Sequence, residues 1–578
     1  MINKTIISII TTPYTKPKYF RIWIILFLFS VMGMIDLPAG RLFPCTVSIS
    51  WILIIIIAFT KATFLSIIGR IINHLRYRYK TTAGILNVLL ICFIVGVCFF
   101  CLVNFLCFHF YGFGISNKLM AIIAQTNYDE TAEFLPTFLA NLYSEIQNPA
   151  TWLVLIILIC LMLFANKLAS IGIIRSIIYA VSVVGAAFMV FFMATLPAGK
   201  TDLFVPLRVT KTIVRTVREN KHLTEIMNQV KYFPELEQTV SSGGATDLCM
   251  IIGESASRQN LEIYGYPLPT SPNAMAMRDS LYIFEDALAS STSTALNMER
   301  ILSFMPDSDF SGNWYDYPML IDLMNAAGYR TYWLSNQEKS GIWSNSSAAM
   351  VAHADEIKYV GNLSSEDHLL QRFDEVLLTY VTEAFNNSAP SKFIGVHLKG
   401  SHTRYYNRYP EEFNRFSATD VLRTIRHPWL DRTKAQTVAE YDNSILYTDY
   451  VVDEIIDKAR RSDKPSLVLY FSDHGENVYF NRDFCGRDSL FVEVPFYIYA
   501  NNAFHKAFPD KIKKLEDARN RHFSTANIIH SIMSLTSTMN PYYDEQLDVL
   551  SDSFVTRPRK VDGRVWGKDR ETKTVLPK

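Results

Sequence analysis

The sequence predicts an α-helical membrane domain of five transmembrane helices, followed by an exported α/β domain with a doubly wound, mostly parallel sheet. Three observations carry that expectation. Long apolar stretches crowd the first 200 of the 578 residues. From 245 onward, β-favouring runs alternate with helical segments, the pattern of a sheet covered on both faces. Four of those runs stop at a polar or metal-capable side chain, where open α/β sheets bind ligands.

The membrane domain is read as 1–200, with spans at 20–38, 46–69, 84–108, 150–167 and 172–197; each approaches or exceeds the ~20 residues a helix needs to cross a bilayer. Lys4, Lys16, Lys18 and Arg21 precede the first span, and Arg70, Arg76, Arg78 and Lys80 separate the second from the third. The third connection carries Asp129, Glu130, Glu133 and Glu145 instead. The positive-inside rule puts the N-terminus in the cytoplasm and everything after the fifth span outside it. Net charge is +1 with no basic stripe, which excludes nucleic acid as the main partner.

Residues 201–244 read as an amphipathic helical linker, suited equally to lie along the membrane surface or to pack as an ordinary linker helix, that ends in the break Ser241-Ser-Gly-Gly244. The domain at 245–545 follows, then a C-terminal tail at 546–578. Its strands are expected at Leu248–Ile252, Tyr329–Leu334, Phe393–Leu398, 467–471 and Val494–Tyr499. Helical segments near 319–327, 366–386, 436–461 and 523–535 separate them. Cys249 and Cys485 are the only cysteines of the exported part, so a disulfide framework is excluded there, and Cys249 reads as a core thiol.

The run Leu467-Val-Leu-Tyr-Phe471 has no polar break and reads as a strand buried on both faces. Asp473 and His474 follow it at once. Glu254 ends the first strand in the same way. Two carboxylates and one imidazole make a three-ligand set for Zn²⁺ that leaves a position open. The hydroxyl run Ser290-Ser-Thr-Ser-Thr294 leads into a helix, whose N-terminus favours an alkoxide and a phosphoryl group. Taken by itself, that run reads first as helix capping, and any of its five hydroxyls is a candidate to face a metal.

These residues resemble a known family. Gly253-Glu-Ser-Ala-Ser-Arg258, Tyr264-Gly-Tyr266, Ser293-Thr-Ala295, Asp374-Glu-Val-Leu-Leu378, His397-x4-His402, Tyr441-Asp-Asn-Ser-Ile-Leu-Tyr-Thr-Asp449 and Ser472-Asp-His-Gly-Glu476 look like the bacterial inner-membrane phosphoethanolamine transferases of the alkaline-phosphatase/sulfatase superfamily. The resemblance implies catalytic zinc on Glu254, Thr294, Asp473 and His474, with Thr294 as the nucleophile. It implies substrate contacts from His402, His397 and Asn336, and from Thr126 and Glu130 in the acidic outer connection. Phosphatidylethanolamine would be the donor and lipopolysaccharide the acceptor, with the protein in the inner membrane and its catalytic domain in the periplasm. The chain departs from the lipid A branch at Asn297-Met-Glu-Arg300, where that branch has a Cys, at Ile122, and near Phe484-Cys-Gly486, and so resembles the branch that modifies the lipopolysaccharide core. Phosphoglycerol transfer, or transfer to another periplasmic glycan such as an osmoregulated glucan, is the alternative. The absence of Cys/Ser-x-Pro-x-Arg around 290–300 argues against a formylglycine sulfatase.

Overall fold

The computed structural model describes residues 17–32, 80–111 and 233–566, except 242–245, 307–312, 338–343, 361–372, 426–429 and 480–488, with isolated positions elsewhere. The chain falls into two units, 1–218 and 219–578.

In the first unit, helix α1 (Pro17–Met32) and helix α2 (Lys80–Tyr111) overlap the first and third expected spans. They meet where Phe29 packs on Val97 and Cys101. Along α2, Ile85, Val88, Leu89, Ile91, Phe93, Val95 and Phe99 are exposed. Among the described residues no helix is long and apolar enough to cross a membrane; the side chains of α2 described without interruption run only from 91 to 106. The spans at 150–167 and 172–197, most of 46–69, and the positions Thr126 and Glu130 lie outside the described residues.

In the second unit a 3-10 turn, Pro234–Gln238, leads into β1 (Val240–Ser241), which pairs antiparallel with Thr538–Met539. So the described end of the expected linker helix is a turn and a strand. Pro234 lacks the N–H that a continuing helix would need there. Along the chain follow β2 (Asp247–Gly253), β3 (Leu281–Ile283), β4 (Ala287–Leu288), helix α3 (Thr294–Ile301), helix α4 (Leu320–Ala326), β5 (Arg330–Ser335), β6 (Glu356–Tyr359), helix α5 (Leu377–Asn386) and β7 (Lys392–His397). Helix α6 (Arg432–Arg460), capped by the Asp431 carboxylate on the Lys434 N–H, precedes β8 (Ser466–Ser472). Then come β9 (Glu493–Val494), β10 (Phe496–Ala500), β11 (Phe523–Ser524), helix α7 (Ile528–Thr536), β12 (Thr538–Met539), β13 (Lys560–Val561) and β14 (Arg564–Val565).

The main sheet has seven strands in the order β3-β10-β8-β2-β7-β5-β6. All neighbours are parallel except β10, which runs against both β8 and β3. Side chains alternate between two covered faces, which is why the central strands read as continuous apolar runs. Cys249, Ile251, Val468 and Tyr470 join the core under α5 and α6. Leu248, Met250, Leu467, Leu469 and Phe471 join the core under α4 and α7. Cys249 is a free, buried thiol, as expected, and burial pushes its pKa up.

Two boundaries differ from expectation. The strand expected at 494–499 is split: Glu493–Val494 pairs with β4 in a separate three-stranded sheet, and Phe496–Ala500 enters the main sheet antiparallel. Pro495 sits at the break and has no N–H for a continuous ladder. The helix expected from 523 begins only at Ile528, after β11 has paired parallel with β4. Residues 546–566, assigned to a tail, pack on the domain, with Val549, Leu550 and Val561 buried.

Candidate metal centre and nucleophile

β2 is the middle strand, with β8 on one side and β7 on the other, and its register places Gly253 opposite Ser472 and Ile252 opposite His397. The residues that follow those pairs, Glu254 and Asp473, therefore emerge side by side at the carboxyl edge. Ser255 turns the chain in the left-handed region at φ 59°. That conformation costs an L-residue about 1–2 kcal/mol, and here its N–H donates to Asp473 Oδ1 and its hydroxyl to Glu254 Oε1.

Ligand atoms of Glu254, Asp473 and His474 all lie within 4.8 Å of one another. His474 Nε2 is 3.3 Å from Glu254 Oε1 and 3.6 Å from Asp473 Oδ2. His474 Nδ1 is 2.7 Å from the Gly475 carbonyl. A carbonyl can only accept, so Nδ1 carries the proton when the ring is neutral, and the Nε2 lone pair points into the cluster, the tautomer a metal needs. Asp473 is fully buried, and its Oδ2 accepts no hydrogen bond. Such an oxygen costs about 1–3 kcal/mol or more, a cost a cation would offset. The donor set fits a divalent metal.

The electrostatics agree. Burial, and then the nearby Glu254 charge, push Asp473 up to about 7. Burial also works to raise Glu254, but the hydrogen bond and charge of His474 hold it well below the usual carboxylate range. Burial would lower His474, yet the Asp473 charge and the Glu254 hydrogen bond together lift it to about 10. Without a metal, the cluster keeps a positive charge where a cation would sit.

Thr294 is the first residue of α3, and its hydroxyl lies 3.2 and 3.4 Å from the two Glu254 oxygens and 3.3 Å from His474 Nε2. Of the hydroxyl run, Ser290 turns to Asn297 and Ser291 to Asp562. Ser293 precedes the helix without a side-chain capping bond.

The other candidates sit around this cluster. His397 is buried with its ring 6.0 Å from Trp333, Nε2 has no partner, and burial lowers its pKa to about 4. Asn336 is buried and donates to Asp374 Oδ1 at 2.8 Å. Asp374 also accepts from the Lys399 and Gly400 N–H groups, each at 2.8 Å, so Asn336 and Asp374 together brace the loop that carries His402. Sequence reasoning missed Asp374 as a brace and Asn297 as a hydrogen-bonding hub. It also missed Asp562, although Asp562-Gly563, with Val561 before it and Val565 two residues after, is a hairpin signal.

The sulfatase family matches residues 247–538. Phosphoethanolamine transferase EptC of Escherichia coli is 27% identical over 345 residues, which span 57% of this chain and 58% of that protein. The C-terminal periplasmic domain of E. coli EptC in complex with Zn is 24% identical with a TM-score of 0.50, over 60% of this chain and 96% of that one. The integral membrane lipooligosaccharide phosphoethanolamine transferase A of Neisseria meningitidis is 20% identical with a TM-score of 0.59, over 91% of this chain and 97% of that one.

Proposed function

This chain belongs to the sulfatase family, and from that premise we propose that it is a zinc-dependent inner-membrane transferase that moves phosphoethanolamine from phosphatidylethanolamine to lipopolysaccharide. The observation that carries the reading is the Thr294 hydroxyl, held within 3.4 Å of both Glu254 oxygens and of His474 Nε2 at the start of a helix. Its likeness to EptC supports the donor. The zinc-bound EptC domain supports the metal. The departures at Asn297 and Ile122 favour a core sugar as acceptor over a lipid A phosphate.

Glu254, Thr294, Asp473 and His474 would hold the zinc, which when bound supplies Lewis acidity that lowers the hydroxyl's pKa. Thr294 Oγ1 loses its proton to solvent and forms a bond to phosphorus as the bond to the diacylglycerol oxygen breaks. The leaving alkoxide takes a proton from solvent. A lipopolysaccharide hydroxyl then attacks the same phosphorus and loses its proton to solvent, the bond from phosphorus to Thr294 Oγ1 breaks, and Thr294 is reprotonated from solvent. His402, His397 and Asn336 are proposed to face the transferred group, and Thr126 and Glu130 the lipid. Five membrane spans keep the site at the bilayer, since exposing donor acyl chains to water costs about 0.8 kcal/mol per CH₂.

The test is incubation of the full-length protein with phosphatidylethanolamine and no acceptor. One phosphoethanolamine should add to the peptide containing Thr294. Thr294→Ala should lose diacylglycerol release by at least ~10³-fold, while Thr294→Ser retains part of it. An adduct on Ser291 or Thr292, or normal turnover in Thr294→Ala, would overturn the assignment. Transfer from phosphatidylglycerol alone would replace the donor. Mass spectrometry of lipid A, core and periplasmic glucans from a deletion strain identifies the acceptor.

A further inference from the structure

The turn that presents Thr294 is fastened by a segment more than 260 residues away in sequence, the C-terminal hairpin β13–β14. Its two-residue loop is Asp562-Gly563, at φ 48° and 77°, the left-handed pair of a type I′ turn. From that loop the Asp562 N–H donates to the Ser290 carbonyl at 2.9 Å, and Asp562 Oδ1 accepts the Ser291 hydroxyl at 2.6 Å. Ser291 is fully buried. With its proton committed to Asp562, its oxygen lone pair is directed at the Ser293 N–H, 3.2 Å away. Ser293 is the residue before the nucleophile. From the other side, Asn297 accepts from the Ser290 hydroxyl and the Ser291 N–H and donates to the Ser291 carbonyl, at 2.8–3.0 Å.

The hairpin is anchored independently. Arg559 grips Asp286 through two parallel bonds of 2.7 and 2.9 Å, the bidentate geometry that makes such pairs strong. Val561 packs among Leu288, Phe491 and Val492. Asp562 therefore comes from a seated element.

We propose that Asp562 is a positioning residue for phosphoryl transfer: through Ser291 it fixes the 290–294 turn so that the Thr294 hydroxyl meets Glu254 and His474. This rests on Thr294 being the nucleophile. Displacing a reacting atom by about 1 Å costs up to ~10²-fold in rate, so a clamp of this kind acts on turnover and leaves donor binding alone.

The experiment uses the full-length protein, three single variants and one double variant. Asp562→Gly removes the carboxylate yet accepts the left-handed backbone; Asp562→Asn keeps both an acceptor oxygen and that backbone; Ser291→Ala removes the donor. Asp562→Gly should slow formation of the threonine adduct roughly tenfold or more, with KM for phosphatidylethanolamine unchanged and zinc still retained by Glu254, Asp473 and His474. Amide exchange in the 289–297 peptide should quicken. Asp562→Asn should restore most of the rate, and Ser291→Ala/Asp562→Gly should be no slower than the slower single variant, because the two share one bond. Wild-type rate and exchange in Asp562→Gly, equal losses in Asp562→Asn and Asp562→Gly, or multiplicative losses in the double variant would each overturn the clamp. Activity surviving in Thr294→Ala would remove the nucleophile instead, and exchange at 289–297 would still report whether the hairpin holds the turn.

Discussion

Gly400 lies so close to Glu254 that a Cβ added to it would stand 2.8 Å from the Glu254 nitrogen and 2.9 Å from its carbonyl oxygen. Gly400 also holds φ 51°, and the next residue, Ser401, donates its N–H to that same carbonyl at 2.9 Å. The loop after β7 thus presses against the backbone of a candidate ligand, with no flexible side chain between them to yield.

Gly400→Ala is therefore expected to move Glu254. Strain of this kind costs on the order of 1–3 kcal/mol, and a displaced ligand should weaken zinc binding by at least the ~10–100-fold that lost supporting contacts cost. Metal titration and melting of the purified protein check both. Wild-type zinc affinity in Gly400→Ala would show that this close approach does not set the ligand.

Metal removal should destabilise the α/β domain, because it leaves Asp473 Oδ2 buried and unsatisfied. A chelator should lower the melting temperature of the wild type and have little effect on Asp473→Ala. That variant should bind little zinc and transfer nothing, yet keep its fold, since the ligands cap the strands and no ladder bond depends on the metal. Full zinc content in Asp473→Ala by elemental analysis rules the site out.

What the sequence disclosed follows from which forces are local. Leu248–Ile252 and Leu467–Phe471 are apolar on both faces because both faces are covered, and a strand so composed announces itself along with the ligands just past its end. The reversal of β10 depends on which neighbour it pairs with, and nothing within Phe496–Ala500 records that choice. Asn297 looks like any polar helix residue until the 290–294 turn folds back onto it. Asp374 is similar, because its three partners come from Asn336, Lys399 and Gly400. The five spans expected from hydropathy fall mostly outside the described residues, which in the first unit are chiefly α1 and α2.

His530 sets a pH dependence. It is buried, its Nδ1 accepts the Asp544 N–H at 3.1 Å, and its ring lies 5.7 Å from that of Phe304. Burial lowers its pKa to about 4, against a weaker opposing pull from Asp544. The unfolded chain, with a His near 6.5, binds more protons between those values, so stability rises with pH in that window. The contribution is whole above about 6.5 and lost as pH falls toward 4, a change on the order of 3 kcal/mol. His530→Asn keeps an acceptor without titrating and should flatten this part of the stability–pH curve. Parallel curves for the two proteins would contradict the assignment.

At the opposite end of the strands, Asp247 and Lys392 are register partners on β2 and β7, with Nζ 3.0 Å from Oδ2 and side-chain exposures of 0% and 1%. Lys392 Nζ also donates to the Phe385 and Asn387 carbonyls at 2.7 and 3.0 Å, closing the end of α5. Burial pushes the Asp247 pKa up, and the Lys392 charge works against that. Lys392→Met removes the cation and leaves a buried carboxylate and two carbonyls without it, a loss of about 3–5 kcal/mol in comparable pairs. Asp247→Leu combined with Lys392→Met should recover part of that loss, because an apolar pair carries no desolvation penalty. Seven residues of strand, about 23 Å at ~3.3 Å each, separate the pair from Glu254, so zinc content per folded molecule should not change in any of these variants. Denaturant unfolding of the two singles and the double gives the coupling energy. Additive losses would mean that the two charges are held apart by other groups and that the pair does not fasten β2 to β7.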